Sequence, residues 1–226
     1  MMNKKDFSIV CIGAGNVATH LAQALQQKGF HLSQIYSRTQ ESAEALAQTL
    51  GCAWTTCLEQ VDEHADLYIV SVKDAVLETV ISQLAHCNPD ALYLHTAGSM
   101  PMEVWKEKFK NYGVAYPMQT FSKQREVNFE EVPFFLEANS PENLSLLQEI
   151  ARSLPQRKTY GSHGGNIHFA KGKHKNYGNI TRFSTQGLQK NWLQMKKLIR
   201  FFRQEQENTP SRKGIKKGVP LNSNLC

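Results

Sequence analysis

Residues 8–18 read Ser-Ile-Val-Cys-Ile-Gly-Ala-Gly-Asn-Val-Ala, a short apolar run that passes straight into G-x-G-x-x-A. No other stretch constrains the fold as strongly. Ile9, Val10, Cys11 and Ile12 are apolar without alternation, which predicts a strand buried on both faces, as in the middle of a parallel sheet. Gly13 permits the tight turn out of that strand. Gly15 has no Cβ, so a diphosphate can approach the backbone, and Ala18 is small enough for the next helix to pack closely. That helix is expected from Asn16 to Lys28, with Gly29 ending it as the C′ residue. Its free N–H groups and positive dipole end then face the phosphates, with Asn16 and Val17 in the first turn. The ligand implied is a dinucleotide.

The next apolar segment, Leu32 to Tyr36, leads into Ser37-Arg38-Thr39. A site for NAD usually carries Asp or Glu at the end of this strand, on the ribose 2′-hydroxyl. Here Ser37, Arg38 and Thr39 hold that place, and a guanidinium with hydroxyls suits a 2′-phosphate. The expected cofactor is therefore NADP. The competing reading is a glycine turn in some other α/β protein, with Arg38 as a solvated surface charge.

Strand-like and helical patterns alternate through the first 160 residues, which predicts an α/β fold: a Rossmann-type, doubly wound, mostly parallel sheet. Further strands are expected at Cys52–Thr55, Leu67–Val72, Ala91–His95, Tyr112–Tyr116 and Pro133–Glu137. Helices are expected at Gln40–Leu50, Asp74–Ala85, Pro101–Phe109 and Pro141–Leu154, with a helical turn from Leu58 to Val61. Asp74 makes a sensible N-cap. Three loops fall where the carboxyl ends of the strands should line a ligand crevice. Ser71, Val72 and Lys73 should pass near the nicotinamide half of a cofactor, with Lys73 either a contact to cofactor or substrate or a solvated loop residue. His95, Thr96, Gly98 and Ser99 supply a titratable ring and hydroxyls, so His95 is a candidate proton donor or, alternatively, a buried histidine bonded to a carbonyl. Tyr116, Gln119 and Thr120 add directional hydrogen bonds beside apolar Met118 and Phe121, a mixture that suits a small-molecule pocket as well as an ordinary linker. Pro117 should turn the chain out of the sheet.

Taken together, Ile12-Gly13-Ala14-Gly15-Asn16-Val17-Ala18, Tyr36-Ser37-Arg38-Thr39, Ser71-Val72-Lys73-Asp74, His95-Thr96-Ala97-Gly98-Ser99 and Tyr116-Pro117-Met118-Gln119-Thr120-Phe121-Ser122 carry a resemblance. The chain resembles the Rossmann-like reductases related to pyrroline-5-carboxylate reductase and the deazaflavin-dependent NADP reductases. It is more similar to a bacterial group that pairs a Rossmann-like NADP-binding domain with a C-terminal domain of unknown function. The resemblance implies an NADP(H)-linked oxidoreductase of the imine- or carbonyl-reducing kind, acting on a small molecule. It also implies a helical second domain that completes the cleft and often makes a homodimer. Pro133-Phe134-Phe135-Leu136-Glu137-Ala138 fits the opening of that domain. The domains expected are thus 5–122 for the cofactor and 123–160 for the start of the second. A non-catalytic NADP-binding sensor is the alternative function.

Beyond about residue 160 the resemblance stops. Residues 1–160 carry 13 Lys+Arg against 18 Asp+Glu, and residues 161–226 carry 13 against only Glu205 and Glu207. The net charges are −5 and +11, so the overall +6 belongs to the last third. Loss of acidic residues and of hydrophobic period together favours a second domain that is truncated or replaced by an out-of-frame translation over 161–226; a native divergent extension is the alternative. Nucleic-acid binding by the basic stretch would rest on charge alone, since no recognisable module accompanies it. The five cysteines show neither metal-ligand nor disulfide spacing, so no metal is expected. No run is long enough for a membrane span, and no signal peptide precedes the first strand. The expected compartment is the cytoplasm.

Overall fold

A computed structural model describes residues 3–129, 132 and 134–154, with the backbone alone of 159–163 and 166–169. Among the described residues, nine strands form one sheet in the order β3-β2-β1-β4-β5-β6-β7-β8-β9. The strands β1 (Ser8–Ile12), β2 (His31–Tyr36), β3 (Ala53–Thr55), β4 (Leu67–Val70), β5 (Leu92–His95) and β6 (Asn111–Pro117) all run parallel. β7 (Phe134–Ala138) is antiparallel to β6, β8 (Thr159–His163) is parallel to β7, and β9 (Asn166–Phe169) is antiparallel to β8. The order reverses between β1 and β4, so the crevice expected at such a switch point opens beside the glycine turn.

The unalternating apolar strands are explained by two cores, one on each face. Along β1, Ile9 and Cys11 enter one core and Val10 and Ile12 the other; Leu67 and Ile69 on β4 oppose Tyr68 and Val70 in the same way. The first core packs beneath α1 (Asn16–Gln27), α2 (Gln40–Leu50) and α4 (Pro141–Ser153), through Leu21, Leu25, Leu46, Leu144 and Leu147. The second packs beneath α3 (Asp74–Gln83) through Leu77 and Ile81. Each such side chain contributes ~1.5–3 kcal/mol by leaving water. Tyr68 and Tyr93 stack at 4.8 Å in the second core, and their hydroxyls donate to the carbonyls of Asp62 and Asn88 at 2.6 and 2.8 Å. Burial pushes the Cys11 thiol up to about 12, which keeps it neutral as a small core residue.

Helix ends follow local chemistry. Gly29 and Gly51 close α1 and α2 at positive φ, 85° and 63°. Ser140 caps α4 by accepting the Asn143 N–H at 3.1 Å, with Pro141 in the first turn. Asp74 differs from expectation: Lys73 occupies the N-cap position of α3, and Asp74 is the first helical residue, where its charge meets the helix dipole. The expected strand Leu67–Val72 stops at Val70, leaving 71–73 as crevice backbone. The expected helix Pro101–Phe109 is a single 3-10 turn, Met102–Trp105, because Glu107 takes a left-handed φ of 68° that no helix continues. Its Trp105 is fully buried and donates its indole N–H to the Gly113 carbonyl at 3.1 Å.

Residues 123–160, expected to open a second domain, contribute β7 and α4 to the same sheet and core. β8 spans residue 160. Most of the basic segment, including Tyr177, Phe183, Trp192 and Cys226, lies outside the described residues, and so does the expectation placed on it. Among the described residues, no helix is long and apolar enough to cross a membrane.

β6 and β7 approach unusually closely at Gly113, where an added Cβ would lie 2.2 Å from the Glu137 carbonyl oxygen. Gly113→Ala is therefore expected to cost ~1–3 kcal/mol by forcing this pair apart. Gly51→Ala meets nothing within 4 Å and strains only its own φ, for ~1 kcal/mol. Urea denaturation of both variants checks the ranking.

Candidate functional site

The turn after β1 is held by its neighbours on both sides. The Gly13 N–H donates to the Tyr36 carbonyl at 2.7 Å, and the Ser71 N–H donates to the Ile12 carbonyl at 2.8 Å. Gly13 sits at φ 116°, and a Cβ there would lie 2.4 Å from the Ser71 carbonyl oxygen. Only glycine meets both conditions. Gly15 is different. Its backbone is extended, and a Cβ there would meet nothing within 4 Å. It is the N-cap of α1; among the described residues no side chain caps the helix, and its first turn carries no acidic residue. The first turn thus offers uncapped N–H donors beside open space. Ala18 is 2% exposed and lets α1 lie close to the sheet, while Val17 is half-buried. These features fit a dinucleotide diphosphate.

At the end of β2, Ser37 is nearly buried and its N–H donates to the Thr55 carbonyl at 3.2 Å. Arg38 and Thr39 are exposed, with Thr39 as the N-cap of α2. Among the described residues Arg38 has neither an ion pair nor a hydrogen bond through its side chain. The Tyr36 phenol beside it is pushed up by burial and by Cys57 and Glu59, and the Arg38 charge opposes them. Two groups therefore share this corner: a free guanidinium and the Glu59 carboxylate, which accepts the Cys57 thiol at 2.8 Å and is held below its ordinary range by that bond. Glu59 and Cys57 were not singled out from sequence; nothing in their spacing marks them.

The structure brings Ser71 and Thr96 together at the ends of β4 and β5, where the Thr96 hydroxyl donates to Ser71 Oγ at 3.0 Å. Val72 is half-buried against the Gly13 turn and Lys73 is exposed. The Ser99 hydroxyl donates to the Asp74 carboxylate, tying the loop after β5 to α3. Tyr116 lies with its ring on Gly98: a Cβ there would be 2.6 Å from the ring edge. Gln119 is half-buried and Thr120 exposed.

His95 fits its alternative reading better than that of a proton donor. It is 0% exposed and packs on Trp105 with ring centroids 6.1 Å apart. Nδ1 accepts the Ala97 N–H at 3.3 Å, so the proton is on Nε2, which donates to the Pro101 carbonyl at 3.4 Å. Burial pushes the ring down to about 4 against the smaller upward effects of those bonds and of Asp74. Both nitrogens of this buried ring are thus engaged by the backbone of the loop after β5.

Sequence reasoning singled out the loop that follows β6 but missed what ties it to α1. Asn16 and His20, one helical turn apart on α1, both reach it. Asn16 Nδ2 donates to the Phe121 carbonyl at 2.9 Å, and His20 Nε2 lies 2.9 Å from the Ser122 carbonyl. The spacing i, i+4 was visible in the sequence, but the partner more than 100 residues away was not.

An uncapped helix N-terminus behind a glycine turn, at the carboxyl edge of a parallel sheet, defines a Rossmann-like α/β protein of the dinucleotide-binding class. The family described as NADP oxidoreductase, coenzyme F420-dependent, matches residues 8–97. A Bacteroides fragilis protein assigned as an NADP oxidoreductase is 40% identical, with a TM-score of 0.71 over 90% of this chain and 70% of that one. The chain belongs to this NADP oxidoreductase family. Its fold is shared with the Synechocystis arogenate dehydrogenase (20% identity, TM-score 0.60, 70% of this chain and 60% of that one). It is shared too with a Coxiella burnetii pyrroline-5-carboxylate reductase (19%, TM-score 0.57, 89% and 72%). The chain thus spans less than two thirds of the length of the dehydrogenase. No curated protein matches.

The His95 environment carries a pH signature. The folded ring titrates near 4 and a free histidine near 6.5, so between those values the unfolded chain binds the extra proton. Stability is expected to fall by up to ~3 kcal/mol as pH drops through this window and to be complete above it. Urea melts at pH 7 and pH 4.5 measure this, and His95→Phe should flatten the dependence.

Proposed function

We propose that the chain binds NADP(H) and serves an oxidoreductase that reduces a carbon–nitrogen or carbon–oxygen double bond of a small molecule. The observation that carries the cofactor choice is Arg38: exposed, without a partner among the described residues, and at the strand end where an NAD site places a carboxylate. A 2′-phosphate offers it a charge-assisted, bidentate bond, with the Ser37 and Thr39 hydroxyls alongside. The N–H groups of α1 hold the diphosphate in the space beside Gly15, while Gly13 and Ala18 let the turn and the helix lie close to the sheet. Ser71, Val72 and Lys73 border the reacting end.

When bound, the nicotinamide supplies the hydride equivalent. The chain's own residues orient the acceptor and handle the proton. Thr96 and Ser71 form a hydroxyl pair that fixes one wall. Tyr116, its ring laid on Gly98 near the carboxyl end of β6, is the proposed proton donor in place of His95, because it is a half-buried phenol at the strand end where a ligand crevice is expected. His95 and Ser99 shape the loop that Tyr116 rests on. Lys73 is a proposed contact to the cofactor or substrate. The imine-reducing kind is favoured by the shared fold with the pyrroline-5-carboxylate reductase. A sensor without turnover is the second reading, favoured by the sealed state of His95.

Arg38→Ala should weaken NADPH binding about 10- to 100-fold, equivalent to ~1.5–3 kcal/mol for a lost charged hydrogen bond, and leave NADH binding nearly unchanged. Fluorescence titration with both nucleotides checks this; equal losses for the two would remove the NADP assignment. NADPH oxidation over a panel of cyclic imines and ketones separates enzyme from sensor. In the enzyme, Tyr116→Phe should lower kcat by ~100-fold or more while NADPH affinity holds.

A further inference from the structure

The segment between β6 and β7 leaves the sheet at its carboxyl edge, where Pro117 pairs with Phe134. It does not return directly. It first crosses to the α1 side of the sheet, and three phenylalanines anchor it there. Phe121 is buried 6.2 Å from Phe129, and Phe129 lies 6.2 Å from Phe134 at the start of β7, all in the first core. Between the anchors the chain turns, with the Arg125 N–H donating to the Ser122 carbonyl at 3.1 Å, and Lys123 to Glu126 are exposed. Apolar burial fixes the two ends of this strap but not the height at which its first half passes the crevice.

That height is set by polar contacts. Asn16 is the first residue of α1 and His20 lies one turn further along the same face. Their side chains hold consecutive carbonyls, Phe121 and Ser122, each at 2.9 Å. The His20 ring also packs on Phe121, with centroids 5.8 Å apart. The Ser122 carbonyl also accepts the Arg125 N–H of the turn, so His20 adds a second bond to it, whereas the Phe121 carbonyl is held by the Asn16 amide. Asn16 sits in the turn that offers its N–H groups to the open space beside Gly15. Gln119 and Thr120 immediately precede the held carbonyls.

We infer that Asn16 and His20 form a two-point latch that sets the strap against the cofactor helix, so that His20 is a positioning residue for the substrate-side loop carrying Gln119 and Thr120. The contacts of His20 are with Ser122 and Phe121, and it acts through them. A dinucleotide that orders the first turn of α1 orders the residue holding half of the latch, and the strap is then tightened by cofactor binding. This coupling rests on the cofactor reading above, whereas the latch itself does not.

Trypsin reports on the strap at Lys123 and Arg125, read in the full chain by mass spectrometry of those two cleavages. His20→Gln keeps a donor at the reach of Nε2 and removes the ring. His20→Phe keeps the ring and removes the donor, and His20→Asn keeps an amide too short to reach. Without nucleotide, loss of one hydrogen bond of ~1 kcal/mol predicts about 5-fold faster cleavage in His20→Phe and His20→Asn. The Gln variant should stay near the wild-type rate, and all folded variants should share one thermal midpoint within a few degrees. Should His20→Phe fail to fold, the Asn and Gln pair decides. Equal cleavage in the Asn and Gln variants, or in every variant and wild type, overturns the latch. With NADPH added, protection of both sites in wild type and its reduction in His20→Asn support the coupling. NADPH binding with no protection overturns the coupling; absence of NADPH binding overturns the cofactor reading and leaves the nucleotide-free comparison to judge the latch.

Discussion

The contact on which the rest depends is the close approach of the Gly13 turn to the backbone at the end of β4. A Cβ at Gly13 would stand 2.4 Å from the Ser71 carbonyl, so no side chain can enter between them. That approach lets the Ser71 N–H bond to Ile12 and the Gly13 N–H bond to Tyr36, which joins the ends of three strands. It also sets where α1 begins. Gly15 follows two residues later with open space around it, and the helix N-terminus lies uncapped at the sheet edge. The two glycines thus have opposite duties: one closes the backbone of the protein, and the other leaves a place for something that is not protein.

The crevice residues separate along the same line. Ser71, Thr96, Gly98 and Tyr116 are bound into a continuous wall by a hydroxyl pair and a ring laid on a glycine. His95 lies behind that wall, stacked on Trp105 and bonded at both nitrogens, where it fixes the backbone of the loop rather than facing the crevice. Arg38 stands at the other end, exposed beside Tyr36. Charge at one end and hydroxyls at the other match a ligand that is phosphorylated on one side and reactive on the other.

Much of this was legible in the sequence because local chemistry dictates it. The double burial of β1, the glycine ends of α1 and α2, the proline and serine at the start of α4, and the exposure of Arg38 after β2 follow from a few neighbouring residues. What was not legible depended on contacts distant in sequence. The sequence left His95 open between a proton donor and a buried, carbonyl-bonded ring, because its contacts with Trp105 and Pro101 depend on how the following loop folds back. Asn16 reads as part of the helix N-terminus, but that its side-chain amide donates to the Phe121 carbonyl, 105 residues away, is not visible in the sequence. The 3-10 turn at Met102–Trp105 replaces an expected helix because of one left-handed residue, Glu107, which carries no composition signal. β8 and β9 arise from Gly- and His-containing stretches with no alternation, so the pairing partner rather than the segment makes them strands.

The central claim is that a dinucleotide diphosphate sits at the uncapped start of α1. Amide chemical-shift mapping of the full chain on titration with NADPH tests it most directly. The account predicts that the largest shifts fall on the N–H groups of Gly15, Asn16, Val17 and Ala18, with a second group at Ser37 to Thr39. Saturable NADPH binding that leaves the Gly15–Ala18 amides unmoved would contradict it.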